Sequence, residues 1–160
     1  MEERFVEEVW NEGNLDHIDE MTAETYVGHW FDPSGEDVDR EGLREFVSAV
    51  RTGFPDFEMH VEEVMVGDGT ATVVFTTTGT HEGEFMGITP TGESVRNHGI
   101  FVHRYEDGQH VEAWAVWDTL SMLQQLGVAP ESFRLTELLE TAATLARQGV
   151  HRPRREPESA

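Results

Sequence analysis

The sequence predicts an α+β fold in which helical segments come first, a curved antiparallel meander of long strands wraps around them, and a last helix closes the chain. Three observations predict it. Up to Phe54 the apolar residues recur at helical spacing. From Phe57 to Trp117 they recur every second residue, in stretches rich in Val, Thr and aromatics, and the connectors between those stretches are short and carry glycine. At 160 residues the chain is long enough to enclose one core and a pocket and too short for two independent cores.

Phe5, Val6, Val9 and Trp10 share one stripe of a helix that Gly13 ends, and Leu15, Ile18 and Met21 continue it as a second short helix. Thr25 to Phe31 reads as a short extended stretch broken by Pro33, Ser34 and Gly35. Asp39 can cap the next helix. Val38 and Leu43 form a hydrophobic staple there, Leu43, Phe46, Val47, Val50 and Phe54 trace its buried face, and Pro55 stops it. The strands then follow at Phe57 to Val66, Thr70 to Thr80, Val95 to Tyr105 and His110 to Trp117. Gly67-Asp68-Gly69 and Glu106-Asp107-Gly108 supply the positive-φ positions of tight hairpins, so neighbouring strands pair antiparallel. Leu120, Met122, Leu123 and Leu126 suit a short helix ended by Gly127. A final amphipathic helix runs through Leu135, Leu138, Leu139, Ala142, Leu145 and Ala146, between caps at Ser132 and Gly149.

The charge excludes several classes of function. Asp and Glu number 32 against 11 basic residues, the formal net charge is -21, and all the basic residues are arginine. A polyanion repels phosphate backbones and anionic lipid, so neither nucleic acid nor a membrane is an expected partner. The missing lysine and the acidic excess point to a halophilic protein, because salt screens the self-repulsion of such a surface. With no cysteine there is no disulfide, thiolate metal site or thiol nucleophile, and no apolar leader or membrane-length run is present. A soluble, cytoplasmic protein is expected.

Several segments carry a family resemblance. They are Val9-Trp10-Asn11-Glu12-Gly13-Asn14-Leu15-Asp16, Phe54-Pro55-Asp56-Phe57, the run from Gly79 through His81 and Phe85 to Thr89-Pro90-Thr91-Gly92, Arg104-Tyr105-Glu106-Asp107-Gly108, Trp114 to Asp118, and Leu123-Gln124-Gln125-Leu126-Gly127. In this order they resemble the SnoaL-like polyketide and ester cyclases. The resemblance implies a SnoaL-like domain over 1–130 with the cone-shaped fold shared with nuclear transport factor two and ketosteroid isomerase. It leaves 131–149 as a C-terminal helix that packs on or extends the domain, and 150–160 as a flexible tail. It also implies a homodimer and cofactor-free acid-base catalysis of an aldol-type closure, with an aspartate at the end of the last strand as acid and base. Asp118 occupies that position, and His81 matches a family-typical position at the loop mouth.

Read from the residues, a carboxylate in an apolar pocket has its pKa raised by desolvation and can move protons beside a carbonyl. Period two puts Glu112, Trp114, Val116 and Asp118 on one strand face, which makes Trp114 and Val116 pocket-lining residues; Ala113, Ala115 and Trp117 then form an opposite face suited to pairing with a second copy. Asp118 also precedes a helix, where capping could be its whole role. His29 is a candidate catalytic helper, and His81 is a pocket-lining candidate at the loop mouth or an organiser of that loop. Phe101, Phe75, Tyr26 and Trp30 are lining or core aromatics. His98, His103 and His110 lack metal spacing, no carboxylate completes a set, and neither metal nor cofactor is expected. The leading reading is a cyclase- or isomerase-type enzyme acting on a small apolar carbonyl or ester compound, with Asp118 and His29 catalytic. The alternatives are a non-catalytic binding module and a dimerising scaffold. A cavity with Asp118 at its floor favours the enzyme, a cavity without a buried ionisable group favours the binder, and a filled one favours the scaffold.

Overall fold

The structure, a computed structural model, describes residues 1–30 and 36–130. The C-terminal helix and tail expected over 131–160 lie outside the described residues. The unit Met1–Ala129 opens with α1 (Glu2–Phe5), which continues without a break into a π-helical stretch, Val6–Asn11. Then come α2 (Asp16–Met21), β1 (Thr22–Trp30), a two-residue β2 (Asp37–Val38), α3 (Arg40–Gly53), β3 (Glu58–Gly67), β4 (Thr70–Thr80), β5 (Ser94–Glu106), β6 (Gln109–Trp117) and α4 (Thr119–Gln125). No helix among the described residues is long and apolar enough to cross a membrane.

Local chemistry sets the boundaries. Asp39 caps α3 by accepting a hydrogen bond from the Gly42 N–H at 2.8 Å, satisfying one of the amides a helix start leaves unpaired. The β3–β4 and β5–β6 hairpins turn through Asp68-Gly69 and Asp107-Gly108, all four at positive φ, which is the backbone of a tight primed turn. The meander β3-β4-β5-β6 is antiparallel throughout. The sheet is nonetheless mixed, with order β2-β1-β6-β5-β4-β3, because β1 lies parallel to β6. Hairpin chemistry identifies strands joined by short turns; β1 and β6 are far apart in sequence and leave no such mark.

The helices pack on the inner face of this sheet. Trp10 stacks on Phe101 with centroids 5.8 Å apart, Phe101 lies 4.3 Å from Phe75, and Phe75 lies 4.9 Å from Trp117. Val9, Val47, Val73 and Phe75 are fully buried, and each such side chain contributes about 1.5–3 kcal/mol through removal from water. Polar clasps fix the helices in place. The Asn11 side-chain amide pairs with both backbone groups of Met59, at 2.8 and 3.1 Å, like an added rung on β3, and the Arg51 guanidinium donates to the carbonyls of Trp10 and Asn11 where the π-helical stretch ends.

The phase of β6 is the opposite of the one expected from alternation. On β6 it is Ala113 and Ala115 that are buried, with Trp117 turned inward beside them, while Val116 is 49% exposed. The register explains the choice. Ala113 and Ala115 lie opposite His103 and Phe101, and their small side chains leave the volume that Trp10, Phe46 and Phe101 fill. Trp114 faces outward, where its ring lies beneath Arg104 and beside His29. The face formed by Ala113, Ala115 and Trp117 is therefore interior and is not free to pair with a second copy.

Candidate functional site

Between the inner face of the sheet, α3 and the start of α4 lies a cavity of about 160 Å³. Its walls are mostly apolar, with Trp30, Phe46, Phe54, Phe85 and Trp117 prominent. The polar side chains on them are Thr77, Thr78, Asn97 and Thr119, and among the described residues no Asp, Glu, His, Lys or Arg lines the cavity. Asn97 is buried on β5, and its Oδ1 accepts from the His98 N–H at 2.9 Å. The volume matches about one six-membered ring, since an apolar cavity of similar size holds benzene. A second, inner chamber of about 20 Å³ shares Trp30, Phe46, Ala115 and Trp117 with the first and reaches Tyr26, Phe101 and His103. A larger groove lies open to solvent between the first helical segment and β3, but Glu3, Glu7, Glu12 and Glu58 line it, so it would expose an apolar compound to both carboxylates and water.

Behind the inner chamber lies the one buried carboxylate among the described residues, with two histidines around it. Glu2, His103 and His110 are each at most 5% exposed. Glu2 Oε2 pairs with His103 Nδ1 at 2.6 Å and Glu2 Oε1 with His110 Nε2 at 3.3 Å, while Tyr105 Oη sits 3.0 Å from His110 Nε2. Burial by itself would raise the Glu2 carboxyl, but the hydrogen bonds to His103 and His110 outweigh it and hold the group at about 2. Burial pushes His110 down, against the pull of Glu2. The expectation that no carboxylate completes a histidine set is thus corrected. Glu2, about a hundred residues away in sequence, brings its oxygen and the two imidazole nitrogens within 4.8 Å of one another, and these three residues have the composition of a metal ligand set. Sequence spacing could not reveal this, because the set is closed by the first helical turn folding across β5 and β6.

The structure separates the other site residues read from the sequence. Asp118 is exposed and caps α4, its Oδ1 accepting from the Ser121 N–H at 3.0 Å; its neighbour Thr119, not Asp118, lines the cavity. His29 lies on the outer face of the sheet, 2.7 Å from Asp37 and 2.9 Å from Glu112, and the carboxylates of Glu112 and then Asp37 raise its pKa. Glu112 also pairs with Arg104. Trp114 and Val116 share that outer face and line neither chamber, because the strand has the opposite phase to the one inferred. His81, expected to line the pocket, is fully buried and lines neither chamber; its ring lies 5.2 Å from that of Phe54. Its Nδ1 accepts from the Thr91 N–H, and its backbone pairs with Glu93 and Gly92, so it organises the loop over 81–92. Trp30 lines both chambers, and Tyr26 and Phe101 line the inner one. Asn97 was missed by sequence reasoning. Its signal was an amide in phase with Val95, Gly99 and Phe101, the inward positions of β5.

Comparisons with known proteins agree with this architecture. The model of the SnoaL-like polyketide cyclase family matches residues 2–126. Among solved structures, AclR of Streptomyces galilaeus, a candidate hydroxylase, is 29% identical with a TM-score of 0.70, covering 88% of this chain and 90% of that one. IdmH of Streptomyces antibioticus, a candidate polyketide cyclase, is 31% identical with a TM-score of 0.68, covering 78% and 94%. A candidate SnoaL-like polyketide cyclase of Jannaschia sp. CCS1 is 26% identical with a TM-score of 0.71, covering 79% and 89%. No curated protein matches the sequence significantly. With the family model spanning most of the chain and the cavity-bearing sheet in place, the chain belongs to the SnoaL-like polyketide cyclase family.

Proposed function

We propose that this protein binds a small, largely apolar carbonyl or ester compound in the cavity between α3 and the inner sheet face. The observation that carries the reading is the lining itself: apolar, aromatic-rich walls, a few neutral hydrogen-bonding side chains and, among the described residues, no titratable group. Such a surface rewards an apolar body and orients it through one or two polar atoms. Titration with small ring ketones and esters, followed by the fluorescence of Trp30 and Trp117, tests it. A saturable change is expected, and a panel that produces none would overturn the reading.

A second reading, proton-transfer catalysis of the cyclase or isomerase type without a cofactor, is favoured by family membership and by His103, a titratable group held by Glu2 on the wall of the inner chamber. For any compound that binds, turnover by the wild type, Asp118→Asn and His103→Gln separates the possibilities. Asparagine caps a helix about as well as aspartate, so Asp118→Asn keeps its stability. A loss of about 10² to 10⁴-fold in either variant assigns that residue the proton. A wild type that binds without conversion sinks catalysis and leaves binding standing.

Two further properties belong to this proposal. Ile100 and Val116, 44% and 49% exposed on the outer sheet face beside Trp114, form an apolar surface over which two copies of the chain would pair. Light scattering that shows a monomer at micromolar concentration would remove this claim. The net charge of -21 with no lysine suits a cytoplasm rich in salt.

A further inference from the structure

The inner face of β1 carries Tyr26, Gly28 and Trp30 at alternate positions. Gly28 is buried and its backbone is not in the left-handed region, so the strand conformation does not call for glycine. What glycine supplies is space. A Cβ at Gly28 would stand 3.0 Å from Tyr26 Oη and 3.0 Å from Trp30 Nε1, so glycine lets both side chains close over the strand and brings their polar atoms near one point. The cross-strand neighbours of Gly28 and Trp30 are Ala113 and Ala115, which extend this floor of small residues beneath the inner chamber. Tyr26 and Trp30 both line that chamber, and Trp30 also lines the larger cavity. Among the described residues neither Tyr26 Oη nor Trp30 Nε1 has a hydrogen-bond partner. Burial raises the Tyr26 pKa, so its phenol stays neutral and able to donate.

We propose that the inner chamber above Gly28 is an oxygen-binding subsite, in which Tyr26 Oη–H and Trp30 Nε1–H donate together to one carbonyl oxygen of the bound compound. The inference rests on the cavity being the ligand site and adds which ligand atom goes where. About 20 Å³ admits roughly one oxygen-sized group, and the rest of the ligand lies in the larger cavity past Trp30 and Trp117. Two donors match the two lone pairs of a ketone or ester carbonyl, and Trp30 Nε1–H, which can only donate, has nothing to bond in an ammonium group. Negative charge growing on that oxygen would strengthen both bonds, because they lie in a water-poor chamber.

The probes are 1-indanone and indane, which share a ring frame and differ by the carbonyl. Indane avoids the ketone's desolvation cost, so the quantity compared across variants is the ratio of their affinities, read by tryptophan fluorescence or calorimetry. In Tyr26→Phe the ratio is expected to shift against 1-indanone by about 3- to 10-fold, the range of one neutral hydrogen bond, with indane affinity little changed. Gly28→Ala presses a Cβ against both donor atoms, displaces them and is expected to shift the ratio the same way. Infrared spectra need no variant: the carbonyl stretch of 1-indanone bound to the wild type is expected at lower frequency than in hexane. A carbonyl band at its hexane position, or a ratio unchanged in both variants while both probes bind, overturns the oxygen subsite and leaves the cavity reading intact. Failure of both probes to bind the wild type overturns the cavity reading and this inference with it.

Discussion

The two faces of β6 do opposite work within nine residues. Inward, Ala113, Ala115 and Trp117 meet Phe101, Phe46 and the two chambers; outward, Glu112, Trp114 and Val116 meet His29, Arg104 and solvent. Ionisable groups crowd the outer face, yet water screens them there, and an exposed ion pair contributes only about 0.2–1 kcal/mol. The inner face has few polar atoms, but each sits where water cannot compete, so a single hydroxyl or indole N–H weighs more. Chemistry-bearing residue types and desolvation therefore point to opposite faces of this strand.

The comparison predicts its largest contrast in stability. Phe101→Ala, on the inner face of β5, should cost about 3–5 kcal/mol, whereas Ile100→Ala, its exposed neighbour, should cost well under half of that. Denaturant melts of both variants measure it, and equal losses would break the distinction between the faces.

A somewhat smaller effect is expected at the closed end. Glu2→Gln removes the carboxylate that His103 and His110 share and should cost about 1–3 kcal/mol. The Glu2 pKa is depressed in the folded protein, to about 2 from about 4.5. Its contribution is thus complete above about 4.5 and is lost as pH falls from there toward 2. Melting temperature against pH should show this acid limb steeper in the wild type than in Glu2→Gln, and superimposable limbs would remove the linkage.

Salt acts on the outer surface, where the carboxylates are. Raising KCl from low to molar concentration should raise the melting temperature by a few degrees, about 1–2 kcal/mol for a domain of this size. A flat or falling trend would count against a protein built for high salt. Smaller still is the effect of Glu112→Gln, about 0.5 kcal/mol. Glu112 and Asp37 raise the His29 pKa, so that pair's contribution is complete below about 6.5 and fades as pH rises through the folded value. NMR titration of His29 should show its pKa fall in Glu112→Gln, and an unmoved titration would dissolve the outer network.

Much of the architecture was legible in the sequence because local chemistry wrote it. Asp39 caps α3, the Asp-Gly pairs make the hairpins, and the change of period near Pro55 separates helix from sheet. The phase of β6 was not, since alternation says that two faces exist and not which one is covered, and the face with the larger aromatic, Trp114, proved to be the outer one. Long-range partners were equally hidden. Neither the parallel pairing of β1 with β6 nor the approach of Glu2 to His103 and His110 leaves a spacing to read. The family likeness pointed to Asp118 by position, and the structure uses that carboxylate to cap α4.

Ala115 and Val116 are adjacent in sequence and on opposite faces, which makes them the most direct test of the claim that the ligand is held on the inner face. Ala115→Leu adds a side chain to the wall shared by both chambers; Val116→Leu enlarges one already 49% exposed. With 1-indanone affinity measured by tryptophan fluorescence on both folded variants, Ala115→Leu should weaken binding at least about tenfold, the scale of overfilling a packed site, and Val116→Leu should leave it within about twofold. Unchanged binding in Ala115→Leu, or a loss confined to Val116→Leu, would contradict the placement of the site.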